Sequence, residues 1–330
     1  MKRRTLLAML PALTACTPVV LPMGPPRTLP VLNGERLVMA DGASLPLRSW
    51  LPDAAPRAVV LGLHGFNEYA RSFLADPAPL FTARGVALYG IDQRGFGAAP
   101  NRGYWAGHET LAADAVTSCA LLRARHPGIP LVLMGESMGG AVAMLAATGD
   151  APLAADALVL LAPAIWGRNA MTGIVRFALS LAAVTLPAAI LSGGVAGVVP
   201  TDNQASLLRW SRDPLILRQT RVDMALGLIG LMDAAVAAAP GLGANGRPAL
   251  ILYGGEDHLV PAGPTRAVLD TLDRDAPVTL GFYPRGYHQL LRDRGGAAVA
   301  EDVLAWLAAP RAGLPSGARE AAAAWRARPA

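Results

Sequence analysis

Six short, nearly uninterrupted apolar runs punctuate this chain: residues 58–63 (AVVLGL), 86–91 (VALYGI), 130–134 (PLVLM), 157–162 (ALVLLA), 249–253 (ALILY) and 278–283 (VTLGFY). Runs of this length without alternation read as strands covered on both faces. Between them lie stretches with alanine and leucine at helical spacing, such as 111–124 (LAADAVTSCALLRA) and 141–147 (AVAMLAA). Strands alternating with helices predict an α/β architecture: a mostly parallel central sheet, helices on both faces, and functional loops at the C-terminal ends of the strands. A hairpin-like opening (RLVMADGASLPLRSW, 36–50) precedes the alternation.

The interval between the strands at 157–162 and 249–253 is too long for a single crossover, so an inserted helical cap over the site is expected there. Its first part, 177–200 (FALSLAAVTLPAAILSGGVAGVVP), carries no charged residue. By length alone that run could cross a bilayer. Pro187 and Gly193-Gly194 interrupt it, and the flanking strands must share one compartment, so it reads as cap helices with an apolar inner surface. The second part, 206–223 (SLLRWSRDPLILRQTRVD), is more polar. Arg209, Arg212 or Arg218 could meet an anionic head group, or simply face solvent. Tyr104 and Trp105 either line a pocket rim or pack in the core. The expected organisation is an N-terminal leader (1–15), a cysteine and proline-rich extended tether (16–34), a first core part (35–164), a cap insertion (165–246), a second core part (247–312) and a tail (313–330) with no assignable role.

The strand at 130–134 runs into Gly135-Glu136-Ser137-Met138-Gly139 and then into a helix former. Gly-x-Ser-x-Gly between strand and helix is the signature of a nucleophile elbow, a sharp turn that lifts a serine hydroxyl above the sheet. A serine hydroxyl needs a base and an acid that orients that base. Of five histidines (His64, His108, His126, His258, His288), His288 follows the strand at 278–283 on a loop that can swing back over the sheet. Asp257 follows the strand at 249–253. The order Ser137, Asp257, His288 is that of this class of triad. Glu256 is the alternative acid, one residue away. His258 is the weaker base, since it would compete for the same turn. For an oxyanion hole the backbone N–H groups of Met138, after the nucleophile, and Phe66, after the strand at 58–63, are the expected donors. His64 reads as a brace of that turn and Asp92 as a brace of a neighbouring loop.

LHGFNEYARSF (63–73), YGIDQRGFG (89–97), GESMGGA (135–141), YGGEDHLVP (253–261) and YPRGYHQLLRD (283–293) together resemble the α/β-hydrolases of the monoacylglycerol lipase and lysophospholipase group, also grouped with serine aminopeptidases. The resemblance implies an α/β-hydrolase fold, hydrolysis of lipid-like carboxylic esters through an acyl-enzyme, and no cofactor. Two departures bear on substrate: Asn67, Glu68 and Tyr69 follow Phe66 where related lipases continue Gly-Glu-His, and Ala99 stands where they tend to have serine. A thioesterase or peptidase on the same triad, and a silent envelope protein that binds lipid or protein, are the alternatives.

The N-terminus changes the expected location. Lys2-Arg3-Arg4, a short apolar stretch over 6–13, and Leu13-Thr14-Ala15-Cys16 resemble a bacterial lipoprotein signal, which implies cleavage before Cys16, lipidation of its thiol and a membrane-tethered enzyme facing the periplasm or exterior. A plain secretory signal or an uncleaved anchor are the alternatives. The formal charge of +5 includes Lys2, Arg3 and Arg4 and falls to +2 without them, too little to favour a nucleic-acid partner. Lys2 is the only lysine, so the remainder has no Ser–Lys dyad or Schiff base available. With Cys16 lipidated, Cys119 is the sole remaining cysteine and reads as a buried helix residue. At 330 residues and 53% hydrophobic content, one large core is expected.

Overall fold

The computed structural model describes residues 17–192 and 198–327; the expected signal peptide (1–15) and Cys16 lie outside the described residues. A nine-stranded sheet organises the molecule. β1 (Val31–Asn33), β2 (Arg36–Val38) and β3 (Ser44–Trp50) form an antiparallel edge. β3 joins antiparallel to β5 (Val86–Ile91), and from there β5, β4 (Ala58–Leu63), β6 (Leu131–Glu136), β7 (Ala157–Leu161), β10 (Ala249–Gly254) and β11 (Val278–Tyr283) run parallel in that order. The expected α/β-hydrolase architecture is thus the observed one.

The continuous apolar runs follow from the two-sided cover. In β6, Leu131 and Leu133 face one core, while Val132 and Met134 face the other. The first core packs under α3 (His108–Arg125), α4 (Met138–Thr148), α7 (Val222–Ala238) and α8 (Ala262–Leu269); the second packs under α1 (Ala70–Leu74), α2 (Ala78–Ala83) and α9 (Gly296–Ala308). Truncating one of these leucines to alanine costs about 2–5 kcal/mol. Cys119 is buried on α3, where desolvation pushes its thiol up to about 12.

Three stretches differ from expectation. β1 begins at Val31, inside the segment read as tether, because Leu32 pairs with Leu37 and packs on the core. The proline-rich stretch before it is extended but docked: Val19 N–H donates to Asp223, Leu21 N–H to the Trp105 carbonyl and Met23 N–H to Thr110 Oγ1. The C-terminal tail forms α10 (Ala318–Arg326), whose Trp325 ring stacks on Phe282 of β11 at 4.7 Å and 6°. Ala318, Ala322 and Trp325 are buried while Arg319 and Arg326 are exposed, which gives the tail a structural role as a cover over the last strand.

Between β7 and β10 lie α5 (Gly173–Thr185), β8 (Ile190–Ser192), α6 (Gln204–Arg212), β9 (Gln219–Arg221), paired antiparallel with β8, and α7. The apolar stripe of α5 does not turn inward: Ile174, Phe177, Leu181 and Val184 are exposed, Ile174 at 83% and Phe177 at 70%. These four recur at three- and four-residue steps, one face of a helix. With the following turn, α7 (Val222–Gly241) is long and apolar enough to span a bilayer, yet it packs on α4 and α3 inside the protein. Trp105 is buried against Gly227 of α7, whereas Tyr104 is partly exposed beneath Arg221.

Candidate active site

β6 extends two residues further than its apolar run: Gly135 and Glu136 continue the ladder opposite Leu160 and Leu161. Ser137 follows at φ +53°, ψ −115°, and α4 starts at Met138. A non-glycine residue at positive φ is strained by roughly 1–3 kcal/mol. The turn is held by three bonds: Ser137 N–H to the Leu161 carbonyl, and Ala141 and Ala164 N–H to the Ser137 carbonyl. The flanking glycines are steric necessities. A Cβ on Gly135 would stand 2.2 Å from the Gly139 carbonyl oxygen, and one on Gly139 would stand 2.1 Å from that of Leu63.

The C-terminal end of β10 carries Asp257, buried, with Oδ1 accepting the N–H groups of Leu259 and Val260 and Oδ2 bonded to His288 Nδ1 at 2.7 Å. An ionised carboxylate only accepts, so Nδ1 carries the proton and Nε2 presents a lone pair. Burial lowers the His288 pKa, but the charge and hydrogen bond of Asp257, with Glu136 and Glu68 behind them, outweigh it and hold the imidazole above its ordinary value. Glu256 and His258 are exposed and lie 4.0 Å from each other, away from this buried pair. Among the sequence candidates, the structure therefore joins His288 to Asp257 and not to Glu256.

The turn after β4 lies against the elbow: a Cβ on Gly65 would be 3.6 Å from Ser137 Cβ. The N–H groups of Phe66, in this turn, and Met138, at the start of α4, donate to no backbone carbonyl among the described residues. The first N–H groups of a helix carry the positive end of its dipole. His64, fully buried, holds the turn: its Nε2 accepts the Gln93 N–H at 3.0 Å, and its Nδ1 donates to the Gly65 carbonyl at 2.8 Å. Burial holds its pKa down, so both ring nitrogens are occupied in a neutral brace. Asp92 braces the neighbouring loops by accepting from Ala70 and Ala98.

The insertion is bonded to these loops. Leu217 N–H donates to the Asn67 carbonyl, Asn67 Nδ2 to Thr220, Tyr69 O–H to Asp213 and Gln289 N–H to the Pro200 carbonyl. Arg209 pairs with Asp76, and Arg218 bonds the Ser211 and Asp213 carbonyls, so both are engaged within the protein.

One feature escaped the sequence reading. Beneath the elbow, Arg292 is buried and grips Glu68 with both terminal guanidinium nitrogens, Nη1 to Oε1 at 2.7 Å and Nη2 to Oε2 at 3.0 Å, while also donating to Glu136. Gln289 adds a bond to Glu68. Burial pushes the Glu136 carboxyl up to about 7 against the pull of Arg292. A charged residue inside the Gly-x-Ser-x-Gly signature, at a position whose neighbours in the strand are apolar, was the one available sign. Among the described residues, no group of three or more histidine, cysteine, aspartate or glutamate side chains is arranged to hold a metal ion.

A family profile described as "Serine aminopeptidase, S33" matches residues 54–295, which contain every described residue of the site. The chain is 29% identical over 271 residues to a monoacylglycerol lipase of Mycolicibacterium smegmatis, covering 78% of this chain and 90% of that one. It is 26% identical over 275 residues to the human monoglyceride lipase, covering 82% and 88%. Among solved structures, the monoacylglycerol lipase of Paleococcus ferrophilus superimposes with a TM-score of 0.66 at 20% identity, over 80% of this chain and 98% of that one. A soluble variant of the monoglyceride lipase of Saccharomyces cerevisiae, in complex with a substrate analogue, also gives 0.66, at 19% identity over 88% and 97%. With its fold, its elbow and the match running from before β4 to beyond β11, the chain belongs to the Serine aminopeptidase, S33 family of α/β-hydrolases.

Proposed function

We propose that this hydrolase cleaves carboxylic esters of lipid character, monoacylglycerols or lysophospholipids, through an acyl-enzyme on Ser137. The observation that carries the reading is the pairing of a serine at φ +53° on a strand-to-helix turn with a buried His288–Asp257 bond of 2.7 Å. Ser137 Oγ attacks the ester carbonyl while His288 Nε2 takes its proton. The oxyanion that forms is held by the N–H groups of Phe66 and Met138, each such donor contributing roughly a hundred- to a thousand-fold to turnover. Collapse expels the alcohol, which receives the proton back from His288. Water, deprotonated by the same nitrogen, then attacks the acyl-enzyme, and the carboxylic acid leaves with Ser137 restored. Asp257 keeps the proton on Nδ1 throughout and stabilises the imidazolium.

Lipid character is supported by the monoacylglycerol lipases among the relatives and by the exposed apolar stripe of α5 in the insertion. A peptidase of the kind in the family's description needs a carboxylate to receive the substrate's terminal ammonium. Glu68 and Glu136 are engaged by Arg292 beneath the nucleophile, which favours the ester reading. Lipidation at Cys16, supported by the residues around it, would tether the enzyme to a membrane of the cell envelope. The docked segment 17–23 would then hold the body close to that membrane.

The test is a panel of esters from two-carbon to sixteen-carbon acyl chains, with Ser137→Ala as control. Activity that rises with chain length and vanishes in the control is expected; a panel left untouched by the intact enzyme overturns the reading. For the tether, palmitate incorporation should disappear in Cys16→Ala, and incorporation that persists there overturns the lipidation.

A further inference from the structure

Three segments remote in sequence meet at the Arg292 guanidinium. Glu68 comes from the turn after β4, Glu136 from the last residue of β6, and Arg292 from the segment after β11, four positions beyond His288. Each segment carries one part of the proposed machinery: Phe66 on the first, Ser137 next to Glu136 on the second, and His288 on the third. The contact is close to the reacting groups. A Cβ on Gly65 would be 3.6 Å from Ser137 Cβ, 3.7 Å from Glu136 Oε1 and 3.7 Å from Glu68 Oε2.

Stability is a weak reason for such a cluster. Burying charges costs solvation that pairing recovers only in part, and apolar replacements of similar volume often serve the fold as well or better. Two carboxylates share one guanidinium here, so once Glu136 ionises an excess negative charge lies in a buried site beside a histidine. The charged and titratable groups facing Glu136 are Arg292 and His288 after β11 and Glu68 after β4; His64 stands next to the last of these. Arg292 satisfies one oxygen of Glu136, and Oε2 has no partner among the described residues.

Resting on the Ser137–His288–Asp257 reading above, we infer that Glu136, clamped by Arg292 and Glu68, is a positioning residue for the reaction. It ties the nucleophile's strand end to the oxyanion turn and the histidine segment, and its carboxylate favours the imidazolium that forms on His288. Arginine suits the clamp because its planar fork spans two carboxylates at once, which a lysine ammonium does not.

The electrostatic role separates from a purely structural one through sign. The Glu136 carboxyl titrates higher in the folded chain than in the unfolded one, so its contribution to stability is present at low pH and is lost as pH rises through neutrality. Glu136→Gln removes that loss and should leave Tm at pH 8 at or above the wild-type value. The same substitution removes a negative charge facing His288, so the acid limb of activity should move to lower pH.

The experiment is the pH dependence of the rate at which a fluorophosphonate labels the full chain, which needs no knowledge of the natural substrate. Wild type should label at Ser137 with a single acid limb, and Ser137→Ala should not label. If Ser137→Ala labels as wild type does, the proposed active site fails, separately from the inference. Given a labelling wild type, Glu136→Gln should shift the acid limb down by about 0.5–1 pH unit with Tm retained. Arg292→Lys should lower the maximal labelling rate by about tenfold, because the fork geometry is lost. A Glu136→Gln acid limb unchanged from wild type overturns the inference. Loss of cooperative unfolding in that variant overturns it as well, since the carboxylate would then serve the fold and not the base.

Discussion

The floor beneath Ser137 and the helix α5 of the insertion invert the usual distribution of residues. Below the nucleophile, where apolar side chains would be expected, Glu68, Glu136 and Arg292 are buried. On α5, where polar residues would be expected, Ile174, Phe177, Leu181 and Val184 face outward. Both arrangements work against the stability of a soluble monomer: buried charge is disfavoured without complete pairing, and exposed apolar area gains nothing from folding. Departures of this kind concentrate where function resides. Under the proposed function, the floor would fix the position of the base, and the insertion's exposed stripe would meet an acyl chain or a lipid interface.

Substitutions at the reacting groups should break the comparison hardest. Ser137→Ala should lower ester turnover by roughly 10⁴-fold or more, and Asp257→Asn by about 10³–10⁴-fold, because the histidine loses its tautomer. Steady-state kinetics on a soluble short-chain ester checks both; an Asp257→Asn enzyme with near-full activity would move the acid's role elsewhere. Gly139→Ala forces a Cβ to 2.1 Å from the Leu63 carbonyl oxygen and should destabilise the fold by about 3 kcal/mol or more. Urea unfolding reads that loss, and a shift under about 1 kcal/mol would mean that the elbow is looser than described.

Smaller effects sharpen the contrast. On the base, a His288 held above the ordinary imidazole value must lose its proton to act, so kcat/KM should rise with pH through an acid limb above about 6.5. A limb at or below that value contradicts the burial-plus-carboxylate environment. On α5, Phe177→Ser changes an exposed position and should move stability by less than about 0.5 kcal/mol. It should nevertheless lower activity several-fold on emulsified long-chain esters while sparing short ones; equal loss on both would remove the stripe from substrate handling. The smallest effect should come from an ion pair that belongs to neither region. Arg94 holds Asp41 down to about 2, so this pair contributes stability above about pH 4 that is lost as pH falls toward 2. Asp41→Asn should flatten that part of the acid-unfolding curve and leave stability near pH 1 unchanged.

Much of the framework is legible in the sequence. The six apolar runs became the six parallel strands because a strand covered on both faces has no polar side to interrupt it. The glycines around Ser137 were legible because no other residue fits those two contacts. Other features were hidden by their locality. β1 reads as tether because Pro-rich composition masks a three-residue strand that forms only by pairing with β2. The tail's role is invisible in the sequence because an alanine-rich helix of nine residues is not stable alone and exists by packing Trp325 on Phe282. The stripe on α5 was legible as apolar, but periodicity does not say whether the partner of an apolar face is protein or something else.

The sequence alone determined the order of strands and helices, the sharp turn at Ser137 and the strand ends that carry Asp257 and His288, because these depend on local conformation and on burial patterns a few residues long. The tertiary structure decided which acid the histidine meets, which way the α5 stripe faces, and that Glu68, Glu136 and Arg292 form one buried cluster. Those outcomes rest on side chains brought together from distant parts of the chain, where charge, desolvation and hydrogen-bond geometry are fixed by three-dimensional neighbours and not by neighbours in sequence.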